Sequence, residues 1–226
     1  VGTRENPIDP RLSPLQNNGG STLTHVPLPG SLAIDNGNPN ITEIDQRGVD
    51  RPLGLGVDIG AVEAEFTFVD ALTVDTLADE IDGILTPGNV SLREAIFFTN
   101  SGGIIDFAPS LTGGTIRLTL GELEIEKNLT IRGLGANNLT ISGNNTSRIF
   151  NIDDGNSDRT IRFLLNGLTL TEGATTDNGG AIANRENLVV LNSIITFNTA
   201  TFGGGIFNTG TTQIFNSTID SNSADS

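Results

Sequence analysis

The chain contains no cysteine, methionine, tryptophan or tyrosine, one histidine, and 12 basic against 27 acidic residues. Without cysteine there is neither a disulfide framework nor a thiolate metal site. His25 stands alone, so no histidine-based triad or histidine-rich metal site can be assembled within the chain. The formal charge of −15 repels phosphate backbones and anionic lipid, which argues against nucleic-acid binding. No apolar run approaches the ~18 residues a membrane helix needs, and the opening VGTRENPIDPRL has no signal-peptide core. Together with the missing initiator methionine, that opening reads as the start of a fragment or a processed product.

What is present is glycine (28 residues), asparagine, threonine, isoleucine and leucine, with a hydrophobic fraction of 36%. That is enough apolar material for a core, and the bias favours many short strands joined by turns. The C-terminal part repeats itself. GGAIANRENLVVLNSIITFNTATF is followed directly by GGGIFNTGTTQIFNSTIDSNSADS, which pairs Gly179 with Gly203, Asn184 with Asn208, Asn192 with Asn216, Ile195 with Ile219 and Asn198 with Asn222. Self-similarity at such a period is the mark of a solenoid, whose units bury their apolar faces only by stacking. Each unit carries three short alternating apolar bursts separated by Gly and Asn, so the expected fold is all-β, a parallel β-helix of about 24 residues per coil. Residues repeating in successive coils stack about 4.8 Å apart. Asn184 over Asn208, Asn192 over Asn216 and Asn198 over Asn222 are therefore expected to form amide ladders, or to serve as left-handed corners.

The same texture runs upstream through TIRLTL, LEIEKNLTIRGLGANNLTISG and RTIRFLLNGLTLTEGA, which places the coils at 104–226. Four to five coils are expected, roughly 20–24 Å in length. An open solenoid end would leave backbone groups unpaired and needs a cover. In GNVSLREAIFFTNSGG, Ser91 and Glu94 have capping-box spacing, Leu92, Ala95, Ile96 and Thr99 share a face, and NSGG reads as the helix end. A linker strand and this N-terminal capping helix are assigned to 66–103.

Ser91 to Ile96, with LTVDTLADE at 72–80, resembles the N-terminal CSLREA-type motif of bacterial surface β-helix proteins, although Asn89 and Val90 precede Ser91 where the motif's name places a cysteine. The GGAI and GGGIF elements are similar to repeats of right-handed β-helix surface proteins, including the polymorphic outer-membrane type. DPRLSPLQNNGGSTLTHVPLPGSLAIDNGNP, DQRGVDRP and VDIGAVE, within residues 1–65, resemble the end module called choice-of-anchor Q. These resemblances imply a right-handed parallel β-helix, extracellular or on a bacterial cell surface, and carry no catalytic residues. In those families the end module follows the coils, whereas here it comes first. The chain thus reads as a junction, the tail of one unit followed by the head of the next, cut from a longer tandem array. The alternative is a head-to-tail contact between copies, which does not close and generates a filament.

Enzymes also use β-helices. A uronate lyase needs a basic residue, and the solenoid has a single lysine, Lys127, with scattered arginines. A hydrolase needs paired carboxylates, and the tight acidic group in the coils is Asp153, Asp154 and Asp158 around Gly155, which reads first as a solvated turn. That group, and a second at Asp75, Asp79, Glu80 and Asp82, are weak Ca2+ candidates; no other cofactor is implied. Phe197, Phe202, Phe207 and Phe215 are assigned to the core or to stacking, which leaves no aromatic platform for carbohydrate. The N-x-S/T sequons at Asn128 and Asn216 matter only in a glycosylating host. The sequence reading is a non-enzymatic structural module whose partners are its own copies or adjacent modules, head to tail, with surface polysaccharide as a further partner. A polysaccharide-binding or polysaccharide-degrading β-helix and an adhesin are the alternatives.

Overall fold

The computed structural model describes residues 10–28, 31–41, 43–53, 56–64, 66, 68–83 and 85–225. Residues 1–9, with which the end-module-like segment begins, lie outside the described residues. The chain forms two compact units: Val1–Thr67 with Ile81–Ile84, and Phe68–Glu80 with Leu85–Ser226.

The first unit is largely turns. Two isolated antiparallel bridges, Leu12 to Pro27 and Gln16 to Thr24, are its only regular pairings among the described residues. Leu28, Val57 and Val62 supply a small apolar centre, and buried charge supplies the rest. Glu63 Oε2 accepts from Arg51 Nη1 at 2.8 Å and from the Asp58 amide at 3.1 Å. Asp45 accepts from the amides of Arg47, Val49 and Glu63 and from the Arg47 guanidinium. Asp58 accepts from the amides of Asp35 and Ala64. A carboxylate so buried is tolerable because each lone pair meets a donor.

The second unit is a parallel β-solenoid of about five turns. Its first sheet stacks β1 (Val69–Val74), β2 (Thr99–Phe107), β5 (Leu129–Arg132), β8 (Arg162–Asn166), β11 (Asn187–Leu191) and β15 (Thr211–Phe215). The second stacks β3 (Gly114–Arg117), β6 (Leu139–Ser142), β9 (Thr169–Thr171), β12 (Ile194–Thr196) and β16 (Thr218–Asp220). The third stacks β4 (Leu123–Ile125), β7 (Phe150–Ile152), β10 (Ile182–Asn184) and β14 (Ile206–Asn208), and a short fourth pairs β13 (Thr199–Ala200) with β17 (Ser223–Ala224). Every pairing between these strands is parallel, because each coil visits the sheets in the same order and the rest of the turn is the crossover.

The core consists of side-chain columns along the axis. Leu72, Ile105, Ile131, Leu165, Val190 and Ile214 occupy one column of the first sheet, and Ile116, Ile141, Leu170, Ile195 and Ile219 one of the second. Their middle members are 0–1% exposed. β-Branched and leucine side chains suit this arrangement because each sits on a near-copy of itself at strand spacing. Phe150 and Phe163 fill the wider middle, with ring centroids 5.5 Å apart. The register advances by 26 residues from Gly103 to Leu129, 34 to Phe163, 25 to Leu188 and 24 to Thr212. The long step holds residues 153–161, a loop at the corner between the third and first sheets.

The opening is closed by α1 (Leu92–Phe98), with the Ser91–Glu94 capping box in place at 3.0 and 3.1 Å. Leu92, Ala95, Ile96 and Phe98 are buried, and the helix packs on β1, β2 and β4. Lys127, the lone lysine, donates to the Phe97 carbonyl at 2.7 Å, satisfying an orphan acceptor in the last helical turn. Two boundaries differ from the sequence reading. Thr99 leaves the helix in extended conformation and NSGG lies inside β2, because Gly103 is where the backbone of β1 comes too close for a side chain: a Cβ there would meet the Asp70 carbonyl at 2.6 Å. The stack also begins at β1, in the segment expected to be a linker, so coil-type pairing starts well before residue 104.

The side chains at the other end are also placed differently from expectation. Ile214 and Ile219 continue the aliphatic columns yet are 41% and 42% exposed. Phe197, Phe202 and Phe215 are exposed and Phe207 is half-buried, so none of the four belongs to the buried core.

Candidate functional site

Of the asparagine ladders, two are hydrogen-bonded rungs. Asn184 Nδ2 donates to Asn208 Oδ1 at 2.7 Å, and Asn198 Nδ2 to Asn222 Oδ1 at 2.9 Å. Both Asn184 and Asn198 are fully buried, and Asn198 Oδ1 also accepts the Gly173 amide at 2.8 Å. In the third sheet the column Ile125, Ile152, Asn184, Asn208 switches from aliphatic to amide partway along the stack. Asn192 and Asn216 are corners of positive φ, 46° and 49°, and Asn192 donates back to Asn166 at 2.8 Å.

The acidic groups are fasteners first. Asp75 accepts from the amides of Gly88 and Val90. Asp79 takes Arg93 at 2.7 Å and the amides of Thr119 and Leu120. Arg93 in turn donates to the carbonyls of Gly121 and Glu122, and Ser91 Oγ to that of Glu80. The stretch resembling the surface-protein motif therefore knits the capping helix to the first coils. Asp82 belongs to the first unit.

Asp153 and Asp154 do come together, but with Glu186 from the next coil rather than with Asp158, their carboxylate oxygens lying within 4.8 Å of one another. Glu186 was invisible as a partner because it lies a full coil away in sequence. The trio is offset by Arg185 on Asp153 (3.2 Å), Arg159 on Asp154 (2.7 Å) and the Ile161 amide on Glu186 (3.0 Å). Arg159 and the Asn156 amide hold the Asp154 carboxyl below its usual range. Three carboxylate oxygens suit a hard cation such as Ca2+, and the two arginines compete with it.

The corner between the second and third sheets holds a groove of about 580 Å³. Successive turns contribute to it: Glu122 before β4, Asn145–Arg148 before β7, Ala174–Asp177 before β10, and Thr199 in β13. Arg148, 9% exposed, is its fixed point. Nε donates to the carbonyls of Asn178 (2.9 Å) and Gly179 (3.1 Å), and Nη1 donates to Glu122 Oε2 at 2.7 Å. Burial pushes the Glu122 carboxyl up; Arg148 pulls against this, and the charges of Glu124 and Asp177 add to the rise. Hydroxyls and an amide from Thr146, Thr175, Thr199 and Asn145 line the remainder. The three charged groove residues, Glu122, Arg148 and Asp177, come from three different turns. Their spacings, 26 and 29 residues, differ, so no fixed coil period aligns them in the sequence.

His25 is held by the Ser13 carbonyl at 2.7 Å from Nδ1, a local brace. Among the described residues no helix is long and apolar enough to cross a membrane. The fold defines the class: a parallel β-solenoid with an N-terminal helical cap. Compared with known proteins, the chain matches no family model, no curated protein and no solved structure.

Proposed function

We propose that the chain is a non-enzymatic structural module of a bacterial surface assembly, in which solenoid coils build length and further modules add along the axis, head to tail. The observation that carries this reading is the in-register stacking of aliphatic columns in the first and second sheets, joined in the last two coils by asparagine rungs. Stacking of this kind is indifferent to whether the next coil belongs to the same polypeptide or to another copy, since the backbone and side-chain partners are the same. Ile214, Ile219, Asn208 and Asn222 present those columns at the last coil. Four polar side chains near the cap are structural ties that support the same reading: Asp75, Asp79, Arg93 and Lys127 bond backbone groups of the cap and of the first coil. The surface location rests on the resemblance of SLREAI and of the 1–65 segment to surface β-helix proteins.

Sedimentation velocity and negative-stain microscopy over a concentration series test it. Axial assembly predicts growth into linear particles, and Ile219→Asp, at an accessible position of the last coil, abolishes growth while leaving the monomer's melting unchanged. Particles that stay monomeric at every concentration refute self-stacking and leave only addition within one polypeptide.

A further inference from the structure

We infer that the groove at the corner between the second and third sheets is a binding site for a neutral glycan chain lying across the coils. The argument rests on what the groove offers and what it repels. Its centre is a carboxylate and a guanidinium locked 2.7 Å apart, Glu122 Oε2 and Arg148 Nη1, the arginine immobilised by two backbone carbonyls. Such a pair presents a strong acceptor beside a strong donor. A sugar hydroxyl is the common group that uses both at once, donating to one and accepting from the other. Thr146, Thr175 and Thr199 add hydroxyls that serve either role.

Other ligand classes fit less well. An anion meets Glu122 and Asp177 in the groove, with Glu124 close enough to add to the repulsion, on a chain of net charge −15. A cation meets the buried Arg148. The exposed surface of the groove is divided about evenly between polar and apolar atoms, and Ala174 alone among its lining residues lacks a polar side chain, whereas pockets for apolar ligands are mostly apolar with few polar groups. A volume of about 580 Å³ lies within the range that holds about two or three sugar rings.

One exposed aromatic ring stands on the same corner. The Asn145 amide donates to the Glu172 carbonyl and the Glu172 amide to that of Phe197, so Phe197 lies two rungs along from a groove residue. Phe197 is 66% exposed, at a positive φ of 55° in the turn between β12 and β13. Of the two roles expected for this ring, core or stacking, its exposure leaves stacking. An exposed phenylalanine on the corner that holds this hydroxyl-rich groove supplies the stacking face that sugar rings use.

Isothermal titration of the whole chain with neutral hexasaccharides (cellohexaose, maltohexaose, mannohexaose and chitohexaose), and with oligogalacturonate as the charged counterpart, tests the inference. At least one neutral hexasaccharide is expected to bind with a Kd on the order of 0.1–1 mM, and oligogalacturonate at least about tenfold more weakly. Glu122→Gln should weaken the neutral ligand about tenfold. Phe197→Ala, on an exposed ring whose loss leaves the fold intact, should weaken it about threefold to tenfold. Arg132→Ala, on the outer face of the first sheet, should leave it unchanged. Thermal melting of each variant separates lost binding from lost folding. No binding by any neutral hexasaccharide, tighter binding of oligogalacturonate, or an unchanged Kd in both Glu122→Gln and Phe197→Ala overturns the assignment. None of these outcomes bears on axial stacking, which is read from particle growth.

Discussion

The two units reach order by opposite routes. The solenoid stacks near-identical aliphatic side chains in register, so Ile105, Ile131, Leu165 and Val190 are each fully buried by their own neighbours in the column. The first unit has almost no regular pairing among its described residues, and three buried carboxylates, Asp45, Asp58 and Glu63, gather amides and arginines from distant turns. Repetition makes apolar burial sufficient in the first case. In the second, where no turn repeats, charged hydrogen bonds specify which turns meet. Aliphatic columns should therefore fail by loss of burial and be indifferent to pH, whereas the first unit should weaken as Asp45 is protonated.

The largest break should come from a charge in a column. Ile195→Asp places an unpaired carboxylate at a 0% exposed position and is expected to cost more than about 4 kcal/mol, melting the whole solenoid. Ile219→Asp, one coil on, should cost little because that side chain is 42% exposed. Thermal unfolding followed by circular dichroism reads both, and equal losses would refute the placement of the last coil. Next, Arg51→Ala leaves Glu63 buried without its partner and should cost about 3–5 kcal/mol. Hydrogen exchange resolved by peptide should show the loss in the first unit while α1 and the columns keep their protection.

A pH titration sharpens the contrast. Burial alone would push the Asp45 carboxyl up, but the Glu63 amide, the Arg47 guanidinium and the amides of Val49 and Arg47 outweigh it and bring the pKa down from 3.8 to about 2. A group depressed in the folded state stabilises above its unfolded pKa and loses that contribution as pH falls through the folded one. About 2 kcal/mol of first-unit stability should therefore vanish between pH ~4 and ~2. Protection factors in the first unit, taken relative to intrinsic exchange at each pH, should fall across that window in the native chain and hold level in Asp45→Asn. The smallest effect is expected at the cap: Ser91→Ala removes the bond to the Glu94 amide and should lower solenoid stability by about 1 kcal/mol, read as a shift in the urea midpoint.

The repeat, its three bursts and the capping box were legible because each depends on local spacing or on self-similarity: Gly179 over Gly203 and Asn198 over Asn222 are one coil apart in sequence and in space. The groove was not legible. Glu122, Arg148 and Asp177 belong to three coils whose corner lengths differ, and the 34-residue step from Leu129 to Phe163 breaks the period that would align them. For the same reason Asp154 found Glu186 in space while the eye paired it with Asp158. The start of the stack was hidden too, since β1 and β2 are separated by the capping helix and pair across an irregular register at Val69 and Ala71.

By itself, then, the sequence determined a parallel stack of short strands, the inward columns, and the helix that begins it, because periodicity and capping are properties of neighbours and near-copies along the chain. Tertiary structure alone decided which charges meet, which phenylalanines face solvent, and that a carboxylate and a buried arginine share a groove lined with hydroxyls. Those outcomes depend on corner geometry, where coils of unequal length bring distant residues to the same height, and no local pattern encodes that height.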